Sequence, residues 1–238
     1  MKKYFITIDT ETTQDGMVAD FAAVITDKKG NIITQCAVLI DGIFTDMQNH
    51  PLFFTSDKEG IWSKKGQDKR YKTYSAMVSG GSRMVASVAA INRWLEKAAI
   101  QYKPILTAYN LAFDLDKCKN TGIDLTLFPE SFCLWQAAYA KFAHTKAYRQ
   151  FILDCHGFNP PTQYRNMTFK TNAEIMTRFI TNNPTLEDEP HTALEDIIFY
   201  ELKILNKILS SWSIPEIMEK SVSYNWRDNQ VKDWYKVK

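Results

Sequence analysis

Three short stretches of the chain bring together residue types that can do chemistry. Asp9 and Glu11 close a run of β-branched and aromatic residues, Tyr4-Phe5-Ile6-Thr7-Ile8, of the kind that builds a buried strand. Side chains two apart in a strand share a face. The two carboxylates therefore project together, and like charges at the edge of an apolar core are costly unless a cation or a proton relieves them. A divalent-metal site starts this way, although a solvated strand end has the same spelling. Asp114 follows the short apolar run Ile105 to Tyr109 and falls one turn into a helix opening at Asn110. Sites of open α/β folds lie at that strand edge, and a first-turn carboxylate favoured by the helix dipole has the same position. Asn110 has the residue type of a helix cap, and Phe113 that of a core residue. In Glu189-Pro190-His191-Thr192-Ala193-Leu194-Glu195-Asp196, Thr192 and Glu195 have capping-box spacing. The helix is expected to start at Thr192, which leaves His191 just outside it and Asp196 a turn inside. A histidine beside a helix-anchored carboxylate suits a general base next to a metal ligand; an exposed loop histidine is the plainer alternative.

The elements that must position these groups are legible in outline. Asp20 to Asp27 and Asn31 to Ile40 read as strands joined through Lys28-Lys29-Gly30-Asn31, where Gly and Asn supply the positive φ of a tight hairpin. With the first strand they make an antiparallel three-stranded start. Residues from Asp41 to about Tyr74 lose periodicity, and a loop of that length is expected to be functional or mobile. Ser82 to about Tyr102 has helical spacing between Gly80-Gly81 and Pro104. Phe132 to Trp135 reads as a strand with a helix from about Gln136. Asn172 to about Thr181 and Thr192 to about Ser211 read as helices, the latter burying Leu194, Ile197, Ile198, Leu202, Leu205 and Leu209. The residues from Ser221 onward, with Trp226 and Trp234, carry no assignable pattern.

Composition narrows the partners. A net charge of +2 over 238 residues leaves no global field that would announce nucleic acid, so an anion-binding surface must be local. Cys36, Cys118, Cys133 and Cys155 lack the paired spacing of a zinc site, and free thiols point to a reducing, cytoplasmic setting. Met1-Lys2-Lys3 leads directly into a short strand and does not read as a signal peptide. No apolar run has the length of a membrane span, so no membrane partner is expected.

Taken together, the three stretches resemble the DEDDh (DnaQ-like) family of 3′-to-5′ exonucleases in the ribonuclease H-like superfamily. The family's Asp-x-Glu stands as Asp9-Thr10-Glu11, its Asn-x-x-Phe-Asp as Asn110-Leu111-Ala112-Phe113-Asp114, and its His-x-Ala-x-x-Asp as His191-Thr192-Ala193-Leu194-Glu195-Asp196. The sister family has Tyr four residues before the last Asp, where this chain has Thr192. The resemblance implies an α/β fold, a mixed sheet with antiparallel first three strands flanked by helices. It implies an exonuclease domain over 1–212, with expanded segments at about 41–74 and 137–171, and an extension of unassigned role over 213–238. It implies Asp9, Glu11, Asp114 and Asp196 as the cage of two divalent cations, Mg²⁺ or Mn²⁺, for which hard oxygen ligands are suited. His191 would take the proton from the attacking water, with activity falling below its pKa, and nucleoside 5′-monophosphates would leave the 3′ end of single-stranded DNA or RNA. Thr12, Thr13, Asn110 and Phe113 would contact the terminal nucleotide. Members commonly have Gly soon after the Thr-Thr pair, whereas here Gln14 and Asp15 precede Gly16, so that pocket is expected to differ in shape. Aromatics among basic residues, Trp62 and Tyr71 in one segment and Tyr139, Phe142 and Tyr148 in the other, suit single-strand binding. Many members dimerise, which leaves a homodimer open. The readings to be separated are exonuclease, a catalytically weak nucleic-acid- or protein-binding module on the same fold, and an endonuclease of the ribonuclease H type.

Overall fold

The computed structural model describes residues 3–163 and 166–231. Its frame is a six-stranded mixed sheet with helices on both faces. β1 (Tyr4–Thr12) runs through the middle, paired antiparallel with β2 (Val18–Asp27), which pairs antiparallel with β3 (Ile32–Ile40). The three antiparallel strands expected from sequence are present. The hairpin between β2 and β3 is closed by Asp27, whose carboxylate accepts from the Lys29 and Asn31 amides at 2.8 and 3.0 Å, and by Gly30 at φ +83°. On its other side β1 pairs parallel with β5 (Ile105–Ala108), and β5 with β6 (Ser131–Cys133). β1 is thus flanked by β2 and β5, and its carboxylates emerge at its carboxyl end, beyond the stretch paired with β5.

Two elements differ from the sequence expectation. The aperiodic 41–74 segment contains most of a helix, α1 (Lys64–Ser79), begun by Ser63, whose Oγ accepts from the Gly66 amide at 3.0 Å. Its buried stripe is Gly66, Gln67, Arg70 and Tyr74, helical in spacing but mostly polar, so apolar periodicity does not reveal it. The helix expected from Ser82 starts later. Residues Met84–Ala86 form β4, parallel to the end of β3, and Ser87 caps α2 (Val88–Tyr102). Strand pairing wins over helical spacing there because the carboxyl end of β3 offers an open edge.

α2 and α3 (Leu111–Thr121) pack on one face of the sheet against Ile6, Ile8, Ala23 and Ile25. The other face carries α4 (Leu134–Ala138), which starts two residues before the expected Gln136 and runs into a π-helical turn, Tyr139–Ala143. It also carries α5 (Lys146–Asp154) and α6 (Ala173–Ile180). A continuous helix over 193–209 crosses this face as α7 (Ala193–Asp196), a π-helical turn (Ile197–Glu201) and α8 (Leu202–Leu209). Beyond it, α9 (Ile214–Lys220) has a complete capping box between Ser213 and Glu216. The chain then returns to the small ribbon β7 (Phe158–Asn159) and β8 (Thr168–Phe169), where the Phe169 amide donates to the Asn229 carbonyl and the Val231 amide to the Met167 carbonyl, each at 3.0 Å. Residues 213–231 thus pack on the 137–171 segment; Trp234 lies outside the described residues. Among the described residues no helix is long and apolar enough to cross a membrane.

Candidate active site

Strand parity decides where the first two carboxylates go. Phe5, three turns of the pleat below Glu11, packs into the core beneath the 193–209 helix, and Asp9 and Glu11 follow it onto that face. A register shift between Glu11 and Thr12 ends the regular pairing with β2 just beyond them. Thr10 points the other way and donates to Asp114 Oδ1 at 2.8 Å, so the residue between the two acids anchors the third. Asp114 is in the first turn of α3 and only 2% exposed. Asn110 occupies the N-cap position of that helix but makes no side-chain cap; its left-handed backbone, φ 76°, turns the chain, a conformation Asn tolerates. Its side chain is left exposed on the cavity wall. Phe113, expected as core or as a nucleotide contact, is 41% exposed and faces the cavity.

The 189–196 stretch is held by groups that the motifs do not contain. The Ala193 amide donates to Asp20 Oδ2 at 3.0 Å, and Asp20 pairs with Arg83 at 3.3 Å, which pairs in turn with Glu195 at 2.5 Å. Thr192 donates its hydroxyl to the Glu195 carboxylate at 2.8 Å. The expected capping box is therefore not formed: Glu195 is drawn to Arg83, and the helix is capped by Asp20 from β2. His191 sits outside the helix at φ 54°, with its carbonyl accepting from the Tyr74 hydroxyl at 3.4 Å. Its ring lies against Trp62 at 4.6 Å between centroids, and Arg70 covers the same indole at 4.7 Å. His191 Nδ1 is 3.9 Å from Glu11 Oε1, and Arg70 is 4.0 Å from Glu11 Oε2.

These parts surround one cavity of about 950 Å³, lined by Asp9, Glu11, Asp114, Asp196 and His191 together with Glu189 and Glu201. All five motif residues meet there, while the last two acids carry no motif signal. The clustering is electrostatically expensive. Burial, then the charge of Asp20, pushes Asp9 up to about 7. Burial, with Asp9 as the next cause, raises Glu11 and Asp114 well above the carboxylate range. Asp196 is raised to about 11 by burial and by Asp9 and Glu11, and Glu189 to about 8 by burial and Asp9. Glu201 is raised by burial, Asp9 and Asp114. His191 moves the other way, to about 4, through burial and the Arg70 charge, so its imidazole is neutral at ordinary pH.

The donor set fits hard divalent cations. Asp9 Oδ2, Asp196 Oδ1 and Glu201 Oε2 are buried without a hydrogen-bond partner among the described residues. Single ligand atoms from Glu11, His191 and Asp196 fall within 4.8 Å of one another, while Asp9 and Asp114 stand beside that group. Six carboxylates face Lys117 and Lys170 as the cavity's own ammonium groups, too few cations to balance them. Oxygen-rich anionic surroundings of this kind suit Mg²⁺ or Mn²⁺.

The remaining residues sort themselves by what their polar atoms already do. Thr12 lines the cavity and is half-buried; Thr13 also reaches the wall, but its buried hydroxyl donates to Asp15 Oδ1 at 2.6 Å and accepts from the Met17 amide at 3.0 Å. Gly16, at φ +82°, lines the cavity after Gln14. Trp62 lines it too, but Tyr71 is turned away to accept from the Leu52 amide, and Tyr139, Phe142 and Tyr148 are buried in the core. The aromatics that do line the cavity besides Trp62 and Phe113 are Phe53, Tyr109, Trp135 and Tyr224. Trp135 and Tyr224 are stacked at 5.3 Å, and the indole N–H donates to Thr171 Oγ1 at 3.0 Å. Tyr224 lies in the stretch that carried no pattern.

No family model and no curated protein matches the chain. Among solved structures, exonuclease X in complex with 5′ overhanging duplex DNA is similar at 15% identity and a TM-score of 0.41, over 90% of this chain and 98% of that one. Exonuclease I in complex with an inhibitor is similar at 16% identity and a TM-score of 0.46, over 92% of this chain; the match spans 43% of exonuclease I. These are weak likenesses of backbone path, and what each cavity residue does rests on its own chemistry.

Proposed function

We propose that this chain is a metal-dependent 3′-to-5′ exonuclease that releases nucleoside 5′-monophosphates from single-stranded DNA or RNA. The observation that carries this reading is the convergence of Asp9, Glu11, Asp114, Asp196 and His191, from three distant stretches, on one cavity with unpartnered carboxylate oxygens. Asp9, Glu11, Asp114 and Asp196 would hold two divalent cations. Such a pair supplies charge neutralisation for the phosphodiester and stabilises the attacking and leaving oxygens.

His191 accepts the proton of the attacking water at Nε2, the ring nitrogen left available when Nδ1 faces Glu11. The water oxygen bonds to phosphorus, the bond from phosphorus to the 3′ oxygen of the preceding nucleotide breaks, and that oxygen takes a proton from solvent. Burial and Arg70 keep the imidazole neutral and ready. Thr12, Asn110 and Phe113 contact the terminal nucleotide, with Phe113 offering its exposed ring to the base. Thr13 contributes by holding the 13–17 turn in shape. Trp135 and Tyr224, stacked on each other in the cavity wall, suit unpaired bases because stacking needs exposed base faces. Four free cysteines fit a reducing cytoplasm.

Matched 5′-labelled single-stranded DNA and RNA, incubated with Mg²⁺, Mn²⁺ or chelator beside an Asp9→Ala control, test the proposal. Ladders shortening from the 3′ end, dependent on metal and on Asp9, are expected, and the faster strand names the substrate. Cleavage that continues on a 3′-blocked strand would make the protein an endonuclease. Binding without any cleavage would make it a binding module.

A further inference from the structure

Glu201 belongs to no motif, yet it is built into the cavity with unusual care. It lies five residues after Asp196 on the same helix. At 100° per residue an α-helix would turn it about 140° away from Asp196. The intervening residues Ile197–Glu201 instead form a π-helical turn, whose hydrogen bonds close over five residues. Each residue there turns the chain through a smaller angle than in an α-helix, so five steps bring Glu201 back toward the side of Asp196, and both carboxylates line the same cavity. Tyr200, which in an α-helix would lie nearest Asp196, is instead buried in the core, with its hydroxyl donating to the Glu187 carbonyl at 2.7 Å.

The Glu201 side chain is 3% exposed. Its Oε1 accepts from the Tyr109 amide at 3.3 Å, at the end of β5 and directly before the turn into α3. Its Oε2 has no hydrogen-bond partner among the described residues. A structural carboxylate placed only to satisfy the Tyr109 amide would not need a second buried, unpartnered acceptor, which costs free energy. Asp9 and Asp114 are the charges that act most strongly on Glu201.

We infer that Glu201 is a fifth carboxylate of the proposed metal centre, whose unpartnered Oε2 would be available to hold a divalent cation. The inference rests on the metal-dependent reading above and adds a ligand to it. The π-turn is then the device that lets one helix present two ligands, Asp196 and Glu201, to one cavity.

The test is titration of the full chain with Mn²⁺, read by the electron paramagnetic resonance of free Mn²⁺ and by calorimetry. Wild type is expected to bind two ions. Glu201→Gln keeps the size of the side chain and an acceptor for the Tyr109 amide, and should weaken one ion by about 10- to 100-fold while leaving the other unchanged. Should that variant fail to fold, Glu201→Asp, which keeps the charge but withdraws it by one methylene, should weaken the same ion. Two unchanged affinities in a folded variant would overturn the inference and leave the nuclease reading intact. Loss at one site in a protein that cleaves no nucleic acid would do the reverse. Absence of Mn²⁺ binding by wild type would overturn both.

Discussion

In the general-base role proposed for it, His191 satisfies two demands that usually conflict. A general base must be near charge, yet must not be protonated by it. Here the nearest carboxylate, Glu11, stands 3.9 Å from Nδ1, beyond hydrogen-bonding distance, while burial and Arg70 hold the imidazole pKa near 4. A depressed histidine pKa means the base form exists at every pH above that value. His191→Ala is therefore expected to lower single-turnover cleavage by about 10²- to 10⁴-fold, by a constant factor between pH 6 and 8, with strand affinity retained. A ratio of rates that changed tenfold across that interval would place the working pKa elsewhere. Phe113 invites a complementary measurement: exposed and free of core packing, Phe113→Ala should raise KM with little change in Tm, because base stacking is worth about 1–3 kcal/mol.

At the scale of elements, α1 shows how a helix can serve a site without announcing itself. Its stripe of Gly66, Gln67, Arg70 and Tyr74 ties to the Leu52 and Phe53 carbonyls through Gln67 and Arg70, covers Trp62 and reaches His191. A Cβ at Gly66 would collide with the Gly60 and Ile61 carbonyls. Gly66→Ala is expected to cost about 1–3 kcal/mol of stability and, by shifting Trp62 beside it, to lower turnover; unfolding and single-turnover measurements on one preparation check both. Such a stripe is polar, which is why apolar spacing left 41–74 unread. The strand β1, the hairpin and α3 were legible because their burial is apolar and their turns use Asn and Gly. The three motifs were legible because each is local. Asp20, Arg83 and Glu195 were not, since they meet only across the fold, and Glu201 was hidden by a helical turn whose period no residue type signals.

At the scale of the whole molecule, the acid cluster makes stability depend on pH and, on the proposed reading, on metal. Buried carboxylates with pKa raised from about 4 to about 7 at Asp9, 8 at Glu189 and 11 at Asp196 take up protons on folding. Their contribution is most favourable below the unfolded pKa and is lost as pH rises through the folded values. Without metal, stability should fall between about pH 5.5 and 8.5, and saturating Mn²⁺ should oppose that fall by replacing protons. An ion at a hundred times its Kd adds about 2.7 kcal/mol, or roughly 5–10 °C in Tm. Melting curves with and without chelator should diverge as pH rises; parallel curves would remove the cluster from metal binding.

The bond that seats the histidine loop, from the Ala193 amide to Asp20, spans 173 residues. During synthesis at about 5–20 residues per second, the strand bearing Asp9 and Glu11 waits roughly 9 to 35 seconds for the segment that completes its cavity. Until then the nascent chain has half a set of acids and no base. On the proposed nuclease reading, the chain would in this way be inert while it is still beside the message that encodes it.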